Sequence, residues 1–108
     1  MKTGNIFCTD DISDFKEEMF LGLYKNENCL VEKIISAGQS TEEGIWLEED
    51  KDEFVLLLQG ESELAFEEGE RVKLSKGDFI LIPAGKKHRV KFTSAEPKCI
   101  WLAIHITK

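Results

Sequence analysis

The chain has 108 residues, with 14 Lys+Arg against 21 Asp+Glu and a net charge of −7. That length gives one domain burying roughly two thirds of its unfolded surface, which excludes a core plus a separate cofactor domain. The negative field repels polyanions, so no nucleic-acid partner is expected.

The chain opens Met1-Lys2-Thr3-Gly4-Asn5 without an apolar stretch of signal-peptide length, and its longest apolar run, Phe54 to Leu58, is far short of a membrane span. No membrane association and a cytoplasmic location are the expectation. Cys8, Cys29 and Cys99 are odd in number and match no zinc or C-x-x-C spacing, so all three are read as reduced and at least two as core residues.

In chain order, Ile12, Phe15, Met19 and Leu23 recur at three- and four-residue steps behind Asp10, Asp11 and Ser13, which predicts a short amphipathic helix around 12 to 20. Residues 1–28 are taken as an N-terminal arm with this helix, and 29–108 as a β-barrel. Strands are predicted over Leu30 to Ser36, Gly44 to Glu48, Glu53 to Gln59, Ser62 to Glu67, Arg71 to Leu74, Phe79 to Ile82, His88 to Thr93 and Cys99 to Ile106. Turn residues such as Gly60, Gly69, Gly77 and Pro83-Ala84-Gly85 separate them. Eight short strands without intervening helices imply an all-β antiparallel sandwich or barrel.

Phe54-Val55-Leu56-Leu57-Leu58 and Ile100-Trp101-Leu102-Ala103-Ile104 are apolar on both faces, so both faces need cover. A homodimer is the expected source of part of that cover.

The two-residue period puts His88 on one face with Val90 and Phe92, opposite Arg89 and Lys91. An inward imidazole beside a turn is a candidate ligand group, and Glu53 at the head of the apolar run, with Glu48 and Glu49 before it, supplies carboxylates. The bland alternatives are a core histidine bonded to a backbone carbonyl and a solvated loop-end carboxylate. His105, in register with Trp101 and Ala103, reads as a packing residue or a subunit contact; facing the same cavity as His88, it would add a second nitrogen donor. Lys86, Lys87, Arg89 and Lys91 read as a solvated edge. No serine lies in a G-x-S-x-G context and no Gly-rich phosphate loop precedes a helix, which excludes serine-hydrolase and nucleotide-binding classes.

Gly77, Pro83, Gly85 and His88 match at full spacing the second motif of the cupins, and Glu53 with Gly60 matches the end of the first; Phe92 stands where the second motif closes on Asn. The sequence therefore resembles a cupin, in particular a branch of small single-domain cupins marked by Gly4-Asn5-Ile6-Phe7, Glu43-Gly44-Ile45-Trp46 and Trp101-Leu102-Ala103-Ile104-His105. The resemblance implies a jelly-roll β-barrel whose metal site uses three histidines and a glutamate. Carried over by position, His88 and Glu53 remain, while the His-x-His pair falls on Trp46 and Glu48, or on Leu47 and Glu49 if the gap is three. What it implies is a pocket of Trp46, Glu48, Glu53 and His88. A small polar ligand would bind there without catalysis, or a divalent metal (Fe, Mn, Ni or Zn) would bind weakly through His88, Glu53 and Glu48. The alternative is a metal-dependent isomerase or dioxygenase using the same three residues.

Overall fold

The computed structural model describes residues 1–9 and 17–107. Eight strands follow in order: β1 Met19–Lys25, β2 Cys29–Ser36, β3 Asp52–Gln59, β4 Ser62–Phe66, β5 Arg71–Leu74, β6 Phe79–Ile82, β7 His88–Thr93 and β8 Cys99–Ile106. All neighbouring strands pair antiparallel, in a five-stranded sheet ordered β1-β2-β8-β3-β6 and a three-stranded sheet ordered β5-β4-β7.

Three expectations are corrected. The predicted helix lies outside the described residues over 12–16, and from Met19 the chain is strand; among the described residues there is no helix. Met19 to Gly22 pairs with Glu32 to Ile35, and a register shift between Gly22 and Tyr24 breaks the alternation that would mark a strand in sequence. The Gly44 to Glu48 strand reduces to one isolated bridge between Leu47 and His88. That bridge is a thin link between the sheets, so the architecture is an open sandwich and not a closed barrel.

Between the sheets, Val55, Leu57, Leu64, Phe66, Leu74, Ile82, Cys99 and Trp101 form the core. Each larger side chain there contributes about 1.5–3 kcal/mol by leaving water. Of the cysteines, all free, Cys99 is buried, Cys29 half-buried and Cys8 exposed, so one and not two belongs to the core. At one end of the sandwich Gly60 turns the chain from β3 to β4 with φ +95°. A Cβ there would lie 2.8 Å from Cys99 Sγ and 2.9 Å from Cys99 Cα, which explains in packing terms why glycine ends the first motif.

The outer face of the larger sheet is apolar too. Across the register, Phe54 neighbours Leu81 and Ile104, and Leu56 neighbours Phe79 and Leu102. Phe54 stacks on Phe79 with ring centroids 5.4 Å apart, yet Phe79 and Leu81 stay 64% and 58% exposed. Toward β2, the Lys33 ammonium crosses this face to donate to the carbonyl of Cys8 in the N-terminal arm.

Candidate functional site: a cavity with an acidic lip

A cavity of about 270 Å³ lies between the sheets at the end away from Gly60. Val55, Leu64, Ile82, Val90 and Trp101 make its apolar floor, and Glu32, Glu49, Glu53, His88 and His105 its lip, with Glu18 and Glu48 at the mouth.

His88 opens β7 directly after the Pro83–Lys87 turn. Its backbone exchanges both bridge hydrogen bonds with Leu47, Leu47 N to His88 O at 2.7 Å and His88 N to Leu47 O at 3.0 Å. The ring is buried, and Nδ1 lies 3.0 Å from the Lys86 carbonyl. A carbonyl only accepts, so in the neutral ring Nδ1 carries the proton and Nε2 keeps its lone pair. Nε2 sits 3.9 Å from Glu53 Oε1, too far for a hydrogen bond.

Glu53 faces inward from β3, paired in register with His105 on β8 and with Ile82 on β6. No hydrogen-bond donor among the described residues reaches its carboxylate, which opens on the cavity. Burial pushes its pKa above the usual carboxylate value; the charges of Glu49 and Glu32 act in the same direction, and His105 and His88 oppose it.

His105 is the residue the sequence left open, and the structure puts it in the cavity wall and not in plain packing. Its Nδ1 is 2.8 Å from Glu49 Oε2 and its Nε2 is 2.8 Å from Glu32 Oε1. Carboxylates accept, so both bonds form together only on the imidazolium. Burial works against that charge. The bonds to Glu32 and Glu49 and the nearby charge of Glu53 outweigh it, and the pKa rises.

The remaining predicted site residues divide. Glu48 stands exposed at the mouth. Trp46 does not line the cavity: Leu47 turns inward at its bridge to His88, so Trp46 points away, into a surface groove beside Arg89 and Thr41. Of the two placements for the missing His-x-His pair, the cavity contains Leu47 and Glu49. The carbonyl of Glu49 is held by the amide of Gly85, 2.8 Å away, so the motif turn anchors the acidic loop. Glu32 was not singled out by pattern, although it shares its inward face with Ile34; Glu49 entered only as a carboxylate preceding Glu53 and as one placement of the pair. Phe92, expected inward with His88, is half exposed: β7 bulges at Lys91, where the register passes from Glu63–Phe92 to Leu64–Val90, and Thr93 turns inward instead.

Glu49, Glu53 and His105 offer donor atoms all within 4.8 Å of one another, a group able to hold a cation. Of the two cavity imidazoles, His88 is the one that would donate to a metal ion beside Glu53 without rearrangement, because its Nε2 lone pair is free and the ring is fixed through Nδ1. His105 would first have to lose a proton and a carboxylate partner.

An antiparallel sandwich carrying an imidazole and a carboxylate from facing sheets at these motif positions is a cupin. The chain belongs to that family: the cupin domain model matches residues 33–105. Among solved structures, it is similar over all of both chains to a candidate mannose-6-phosphate isomerase of Ralstonia eutropha JMP134, with 29% identity and a TM-score of 0.92. A cupin superfamily protein of Desulfitobacterium hafniense DCB-2 matches with 20% identity, 89% of this chain and 83% of that one covered, and a TM-score of 0.73. The Schizosaccharomyces pombe Cnp3 cupin domain matches with 15% identity, 91% and 66% covered, and a TM-score of 0.75. The last two show the fold alone. No curated protein matches the chain. Among the described residues no helix is long and apolar enough to cross a membrane.

Proposed function

We propose that the protein is a cupin that binds one small polar molecule between its sheets without transforming it. The observation that carries this reading is the cavity itself, where an apolar floor meets converging carboxylates and imidazoles, among them a Glu53 that no hydrogen-bond donor among the described residues reaches. Of the four metal-ligand positions the family resemblance implies, His88 and Glu53 keep the expected residue types, which favours binding over metal catalysis. Titration against a panel of small metabolites, followed by amide shifts, tests it. Shifts confined to the cavity and lost in Glu53→Gln are expected; a panel that leaves His88, Trp101 and His105 unmoved refutes it.

A second reading has its own support in the free Nε2 of His88 facing Glu53. There, a divalent metal (Fe, Mn, Ni or Zn) would be held by His88 and Glu53 with Glu49 or Glu48, and would supply Lewis-acid polarisation of a substrate oxygen, as an isomerase or dioxygenase needs. The similarity to a candidate sugar-phosphate isomerase favours testing it. Elemental analysis of protein purified without chelator decides: stoichiometric metal lost in His88→Ala supports this reading, and sub-stoichiometric metal indifferent to the substitution ends it.

A further inference from the structure

The hydrogen-bonding character of the cavity is one-sided. Trp101 presents its ring to the floor, but its indole N–H donates to Ser36 Oγ at 3.2 Å, and the Ser36 hydroxyl in turn donates to Glu18. His88 spends its Nδ1 proton on the Lys86 carbonyl and offers a lone pair. His105 spends both protons on Glu32 and Glu49. Glu53 offers two acceptor oxygens and receives nothing among the described residues. Among the described residues no lysine or arginine lines the cavity. The polar atoms left for a ligand are therefore acceptors, and five carboxylates outnumber one imidazolium.

Building on the reading of this cavity as a binding site, we infer that its ligand is a small organic cation: a protonated amine with a short hydrocarbon body. A phosphate or carboxylate ligand would find repulsion and no free donor. A neutral polyol would satisfy the lip only by donating every hydrogen bond, and its own acceptors would be left against an apolar floor. A bare metal ion leaves the floor unused. An alkylammonium fits both halves, with its N–H groups on Glu53 and His88 Nε2 and its chain over Val55, Ile82 and Val90. The Trp101 ring adds attraction for a cation. A volume of about 270 Å³ lies just under the ~300–1,000 Å³ range typical of pockets for drug-sized ligands, so the body is a few carbons long.

The test uses the full chain, dialysed against chelator, and four probes: n-butylammonium, 1-butanol, butyrate and mannose 6-phosphate. Binding is read from saturable shifts of the Trp101 indole and the His88 and His105 signals. Butylammonium is expected to bind, to weaken with added salt, and to lose at least tenfold in affinity in Glu53→Gln; the other three are expected to bind at least tenfold more weakly. Equal or tighter binding of butanol, butyrate or mannose 6-phosphate overturns the cation inference and leaves the cavity a binding site. Silence of all four probes overturns it as well, and the wider metabolite panel then decides the binding reading separately. A melting temperature no lower than that of the wild type and an unchanged amide fingerprint away from the cavity show that Glu53→Gln has not simply unfolded the protein. Retention of full butylammonium affinity in that folded variant also overturns the inference.

Discussion

His105 sits between two carboxylates on a buried strand, and its charge is held there by geometry. A pKa raised above the ordinary histidine value means that the folded state binds the proton more tightly than the unfolded chain does. The resulting stability is complete below about pH 6.5 and is lost as pH rises through the raised folded value. Glu53, whose pKa is also raised, acts with the same sign, since its ionisation becomes costly in the folded state as pH climbs. Urea melts should therefore show stability falling from weakly acidic toward alkaline pH, with a flatter profile in His105→Gln. A wild-type profile that rises over that window would contradict the clamp. Glu53→Gln should raise the melting temperature at neutral pH, because it removes a buried carboxylate that no donor among the described residues reaches, while it weakens ligand binding.

At the scale of elements, Gly60 is the sharpest point of constraint. Gly60→Ala places a methyl group against backbone and sulfur of Cys99 at a positive φ, and should cost about 2 kcal/mol or more by denaturant melts. A variant of wild-type stability would show that the β3–β4 turn can shift away from β8. Elements like this one were legible in sequence because alternation and turn glycines agree: β5, β6, β7 and β8 run over the predicted residues, and β3 and β4 differ at one end by one residue. The misreadings share a cause. In β1 and at Lys91 of β7 a bulge shifts the two-residue period, and on the segment before β3 a single bridged residue decides which side chains point inward. For the same reason His88 and Glu53 were found by motif, Trp46 was misplaced, and the partnership of His105 with Glu32 and Glu49 was hidden: it joins residues 73 and 56 positions apart.

At the scale of the whole molecule, the outer face of the large sheet is apolar, with Phe79 and Leu81 largely exposed. Its cross-strand rows, Leu81–Phe54–Ile104–Val31 and Phe79–Leu56–Leu102–Lys33, contain no acidic side chain in a chain of net charge −7. We propose that a second copy covers it through a two-fold contact, since a self-complementary patch must keep its own like charges away from the axis. Sedimentation at micromolar concentration should give twice the monomer mass, and Phe79→Lys with Leu81→Lys should give the monomer with the cavity intact. A monomeric wild type would refute the pairing.

The Leu47–His88 bridge leads to a further consequence. Glu53 and His105 ride on one sheet and His88 on the other, so the 3.9 Å gap from His88 to Glu53 lies between side chains of the two layers. A guest spanning that gap acts as a rivet. It draws no strength from the strands it touches, yet it opposes the breathing of the whole sandwich at its open rim. The amides of Leu47 and His88, which close that rim, should then exchange with deuterium more slowly when the cavity is filled, and by a larger factor than amides in the middle of β8.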